Sequence, residues 1–159
     1  MSRVVRRLRV LRRSIRTPGD AWLAARMAGW RLVLPVLKRA LPLSRLVRLM
    51  WSQRHPRPRD PAREERIKTL AEALGGPRRN PRLDNCLERS LVSYRYLARA
   101  GAEPELVVGV SRDQPVRGHA WVRLDGEPVR DAVEEFEEIT AFGRAGAHAT
   151  TQPPPDRLP

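Results

Sequence analysis

Three residues of this 159-residue chain have the types and order that acyl chemistry asks for. Cys86, the only cysteine, stands in "LDNCLERSLVSYRYLARAG"; His119 stands in "GHAWVRL"; Asp131 closes "EPVRD". An imidazole can take the proton of a thiol, a carboxylate can hold that imidazole in the right tautomer, and the thiolate can then attack a carbonyl carbon. Such a set works only if the fold brings the three side chains together. The elements around them therefore decide whether Cys86 is a nucleophile or, as a lone cysteine more often is, a small buried hydrophobe.

The cysteine segment reads as a helix. Asn85 can cap it, Glu88 falls at the third helical position as in a capping box, and Gly101 closes it. On a helical wheel Leu87, Ser90, Leu91, Tyr94, Leu97 and Ala98 form one stripe, and Glu88, Arg95 and Arg99 the opposite, solvated one. Cys86 lies at the edge of the apolar stripe in the first turn, where unpaired backbone N–H groups and the helix dipole favour a thiolate. "ELVVGV" (105–110) follows as a strand, then the polar turn "SRDQPV", then a strand carrying His119. Asp125-Gly126 turns the chain into the segment with Asp131.

Two registers are open for that hairpin. A two-residue type I′ turn pairs Leu124 with Glu127 and sets His119 opposite Ala132. A three-residue loop ending in a left-handed Gly126 sets His119 directly opposite Asp131, on one face with Trp121 and Val129. The order helix with cysteine, strand, strand with histidine, turn, strand with aspartate is shared with papain-like and transglutaminase-like domains.

More specifically, "CLERSLVSYRYLARAG", "LVVGV" and "GHAWVRLDGEPVRD" in succession resemble the leader peptidases of lasso-peptide biosynthesis, members of the transglutaminase-like superfamily. The likeness covers residues 60–142, and the leucine- and arginine-rich segment before it is similar to that family too. The resemblance implies an α+β cysteine-peptidase domain with an N-terminal helical segment. It makes Cys86 the nucleophile, His119 the base and later acid, and Asp131 the orienting group, with no cofactor. It further implies proteolytic removal of the leader from a ribosomally made precursor peptide. Two partners come with it: a separate winged-helix leader-recognition protein, and an ATP-dependent cyclase that closes the macrolactam. Two alternatives stand beside it. The same triad could transfer the acyl group to an amine, as transglutaminases do, or the chain could be a non-catalytic, basic helical adaptor for membrane or nucleic acid.

Composition bounds these readings. Charge is uneven: residues 1–51 hold thirteen Lys/Arg against Asp20 alone, while the rest of the chain is nearly balanced. "MSRVVRRLRVLRRSIR" reads as a basic amphipathic helix or a frayed terminus, and contact with an anionic membrane is the partner its charge suits, with no nucleic acid expected. Helices are expected over 21–40, capped by Asp20, and over 43–52, covering one side of the following domain. Arg26, Arg31, Lys38, Arg39, Arg45 and Arg48 break up every apolar run, so a spanning helix and a signal peptide are not expected, and a cytoplasmic location is. The expected organisation is a basic helical segment over 1–53, a proline-rich linker over 54–59, the peptidase domain over 60–142 and a disordered tail over 143–159. His55 and His148 fall in the linker and the tail and are not site candidates. One cysteine rules out an internal disulfide, and the absence of close Cys/His pairs argues against zinc.

Overall fold

Thr17-Pro18-Gly19-Asp20 starts the first helix. A computed structural model describes residues 15, 17–52, 58–75, 86–112, 115–129, 133 and 135–148. Helix α1 runs Pro18–Ala40 with Thr17 as its N-cap: the Thr17 hydroxyl accepts from the Asp20 N–H at 3.1 Å, and the Asp20 carboxylate accepts from the Thr17 N–H at 3.0 Å. Asp20 is thus the third helical residue of a capping box and not the cap expected from sequence, because Pro18 is a better first residue than Asp20 is a cap. Helix α2 spans Leu43–Met50 and α3 Pro61–Gly75. The Asp60 carboxylate caps α3 by accepting from the Arg63 N–H at 3.0 Å. Helix α4, Cys86–Arg99, ends as its glycine demands. Gly101 has φ 87°, the Gly101 N–H bonds the Ala98 carbonyl and the Ala102 N–H that of Leu97, which completes a Schellman stop.

Strands β1 (Glu105–Ser111), β2 (Gly118–Leu124), β3 (Glu127–Pro128) and β4 (Phe136–Phe142) form an antiparallel sheet in the order β3-β2-β1-β4. The fold is α+β, with the helices layered on one face of the sheet. Leu106, Val122, Leu124 and Phe142 pack there against Leu91, Tyr94 and Leu97 of α4 in one core. Met27 and Leu34 of α1 and Leu46, Val47 and Met50 of α2 belong to the same core and are fully buried. At roughly 2 kcal/mol per large apolar side chain, that burial joins α1 and α2 firmly to α3 and α4. Residues 143–148, expected in the tail, fold back instead. A 3-10 turn at Arg144–Gly146 and a bridge from Phe142 to His148 follow β4. The Tyr94 hydroxyl donates to the Gly143 carbonyl, and burial pushes that phenol upward so that it stays a donor. Gly146, at φ 72°, lies so close to the Arg48 backbone that a Cβ would sit 3.0 Å from its nitrogen.

Candidate active site where the cysteine helix meets the histidine strand

The β2–β3 turn takes the first of the two expected registers. Leu124 pairs with Glu127 and Arg123 with Pro128, and both Asp125 (φ 55°) and Gly126 (φ 85°) are left-handed, as a type I′ turn requires. The three-residue loop that would set His119 opposite Asp131 does not form. Local sterics explain the choice: aspartate tolerates positive φ, and Arg59 holds Asp125 in place through ion pairing at 2.6 Å. Beyond β3 the Val129 N–H bonds the Val122 carbonyl at 2.7 Å. Asp131, the expected orienting residue, lies outside the described residues.

Backbone carbonyls alternate along a strand, so Ala120 points its carbonyl to the same side as Val122. Ser90 of α4 meets it: its hydroxyl donates to the Ala120 carbonyl at 2.8 Å, buried. Cys86, half-buried, is one helical turn before Ser90 on the same side of α4. His119 is the neighbour of Ala120. The cysteine helix, one turn past Cys86, and the start of the histidine strand are thus joined by a buried hydrogen bond.

Alternation along β2 gives His119 the outer face of the sheet, away from the helices. There it shares a second, small cluster with Trp121, Val107 and Ala141. Its ring stacks on Phe136 of β4 at 4.6 Å between centroids and lies 6.1 Å from Trp121 at an interplanar angle of 18°. Two aromatic walls restrict the imidazole and leave it half-buried. Gly109, the β1 partner of His119, makes room for this stack. A Cβ there would sit 2.4 Å from the Glu137 carbonyl oxygen and 2.9 Å from the Trp121 ring. A bulge between Val108 and Gly109 lets β4 shift beside it, with Ile139 as the extra residue. Ile139 is therefore exposed, while Phe136 reaches the histidine.

The other face of α4 also differs from expectation. Glu88 is buried, at 3% exposure, and accepts from the Lys38 ammonium at 2.6 Å. Helix α4 is enclosed by α1, α2 and α3 as well as by the sheet, so nearly all of its circumference is core. The wheel placed Glu88 in solvent because its partner comes from far away in the chain. A compensated carboxylate in the first turn, two residues from Cys86, keeps a bare negative charge away from a forming thiolate. Lys38, Ser90, Phe136 and Gly109 are the residues that sequence reasoning missed here. Only Gly109, a glycine inside a β-branched run, carried a signal of close approach. Among the described residues no group of three His, Cys, Asp or Glu side chains could hold a metal ion.

A cysteine at the start of a helix packed on an antiparallel sheet, one strand of which carries a histidine, is in keeping with a papain/transglutaminase plan. The chain belongs to the transglutaminase-like superfamily, whose family model matches residues 23–142. The match begins inside α1, so the helical cover is included in it. No curated protein and no solved structure matches the chain significantly. The superfamily is generally one of cysteine-triad enzymes, and activity of the cysteine-protease or acyl-transfer type goes with membership.

Proposed function

We propose that this protein is a cysteine peptidase that removes the leader from a ribosomally synthesised lasso-peptide precursor before macrolactam closure, with Cys86 as nucleophile, His119 as base and acid, and Asp131 as orienting group. The observation that carries the reading is the Ser90–Ala120 hydrogen bond, which ties the helix bearing Cys86 to the strand bearing His119. Superfamily membership and the segment resemblance supply the reaction class and the substrate.

The reaction runs in two halves. His119 takes the Cys86 proton, and the sulfur attacks the carbonyl carbon of the scissile peptide bond. The tetrahedral oxyanion is stabilised by backbone N–H groups of the first turn of α4. On collapse the C–N bond breaks, His119 gives its proton to the leaving amine, and the core peptide departs with a free N-terminus. The leader stays bound as a thioester. Water then gives its proton to His119, its oxygen attacks the thioester carbon, and the C–S bond breaks. The leader leaves as a carboxylate and the thiol is restored. Long, flexible leaders are costly to order. A separate winged-helix recognition protein would supply the capture and raise the effective concentration of the scissile bond at Cys86.

The test is mass spectrometry of a precursor incubated with this protein and its recognition partner in heavy-oxygen water. Leader and core fragments are expected, with one heavy oxygen in the leader carboxylate and a large gain on adding the partner. Cys86→Ala should abolish both products while remaining folded. Leader joined to an added amine instead of water would assign transfer, and fragments made equally well by Cys86→Ala would refute the mechanism.

A further inference from the structure

Helix α1 has an apolar face on each side. Its inner face carries Met27 and Leu34 into the core. Its outer face carries Trp22 (67% exposed), Leu32 (80%), Val33 (48%) and Val36 (64%), with Ala25 and Gly29 between them. At 100° per residue these side chains share one stripe, and at 1.5 Å per residue it runs for about 21 Å. Large apolar residues gathered so closely on a surface mark something that covers them.

Charge identifies the kind of cover. Arg26 and Arg39 border the stripe, and Arg45 and Arg48 of α2 are exposed, as is Leu49 at 47%. The only acid between residues 15 and 52 is Asp20, which is buried and pairs with Arg66 at 3.0 Å. A second copy of the chain would bring two basic surfaces face to face, a like-charge contact that costs several kcal/mol (about 2–5). A nucleic-acid backbone suits the arginines but gives the Leu-Val stripe nothing to bury against. An anionic bilayer suits both, since apolar side chains enter the acyl boundary while arginines remain with the phosphates.

Beside Trp22 the surface dips into a cavity of about 560 Å³. It gathers Arg26, Arg63, Arg66 and Arg99 against the carboxylates of Asp20 and Asp60. Tyr96 also lines it, buried, and its hydroxyl has no hydrogen-bond partner among the described residues. Guanidiniums at the end of an apolar stripe form a place for a headgroup phosphate. No helix among the described residues is long and apolar enough to cross a membrane, so contact would be in the plane of the surface.

We infer that the outer face of α1 docks this protein on an anionic lipid surface, with Trp22, Leu32, Val33 and Val36 in the interface and the adjoining arginine cavity over a phosphate headgroup. The test is co-sedimentation of the full chain with vesicles of phosphatidylglycerol and phosphatidylcholine, or of phosphatidylcholine alone. Wild type should bind the acidic vesicles, and Leu32→Glu/Val36→Glu should bind them about tenfold more weakly or worse, as should wild type the neutral vesicles. Both substituted positions are exposed, so the melting temperature should hold. Ile139→Glu, which alters an equally exposed residue on the sheet, should bind like wild type. Equal binding by the double variant would overturn the inference. So would failure of wild type to bind acidic vesicles, including the case where it is a dimer that the double variant dissolves, since the face would then belong to a second copy.

Discussion

The two faces of the sheet are built from alternate residues of the same strands, yet they are unlike. The helix side buries Leu106, Val122, Leu124 and Phe142 beneath four helices, in a core made mostly of aliphatic groups. Among the described residues the apolar cluster of the outer side is Val107, Trp121 and Ala141, and the His119–Phe136 stack lies over it. The first face supplies stability and the second holds one imidazole. Cys86 belongs to the first through α4, and His119 to the second. The Ser90–Ala120 hydrogen bond joins the two elements that carry them. The proposed site depends less on the strength of either face than on this seam.

Charge pairing on the helix side should give the largest stability effect. Lys38→Met leaves Glu88 buried without its ammonium and should cost about 2–3 kcal/mol, the lower range because Lys38 is itself partly exposed. The uncompensated carboxylate should also slow alkylation of Cys86. Thermal melting and thiol kinetics on one variant check both.

On the outer side, Gly109→Ala should cost about 1–3 kcal/mol, because the new methyl meets backbone at Glu137 and the Trp121 ring with no room to move. Its signature is displacement of the His119 ring resonances in NMR spectra while α4 stays helical. Unchanged ring shifts would mean that the small cluster does not position the histidine.

The seam itself is the subject of Ser90→Ala. Loss of one buried hydrogen bond should cost about 1 kcal/mol, with the Ala120 carbonyl left unmet. Its effect on Cys86 reactivity should exceed that of an equally destabilising change deep in the helical core, such as Ile67→Val. Equal effects would reduce the seam to ordinary packing.

A smaller effect comes from Asp125, whose hydrogen bond to Arg59 holds its carboxyl below the usual carboxylate range. A depressed folded value stabilises above the unfolded one and is lost as pH falls through the folded one. Wild type should therefore lose slightly more stability than Asp125→Asn on acidification below about pH 4. The pair is exposed, so high salt should erase the difference.

Much of this was legible in the chain, for local reasons. The stripe of α4 and its glycine stop, the β-branched run of β1 and the Asp-Gly turn each carry their signal within a few residues. What escaped depends on distant partners. Glu88 read as solvated because Lys38 approaches from another helix. Residues 143–148 read as tail because their anchors are Tyr94 and the Arg48 backbone. Thr17 was overlooked as a cap although Thr-Pro-Gly-Asp contains the whole capping box. For the site, the helix and strand were readable, but their meeting through Ser90 and the Ala120 carbonyl was not, since it joins residues far apart in the chain. The outer stripe of α1 was visible as apolar residues, but only the fold separates them from those that enter the core.

The central claim is that the seam makes a nucleophile of Cys86 through His119. It is tested most directly by the rate of iodoacetamide alkylation of the folded protein at pH 6 to 7, compared with a free thiol and with His119→Ala. The account predicts that wild type reacts faster than the free thiol and that His119→Ala loses the advantage while melting at a similar temperature. A Cys86 that resists alkylation in the folded protein, or one that reacts equally fast without His119, would contradict it.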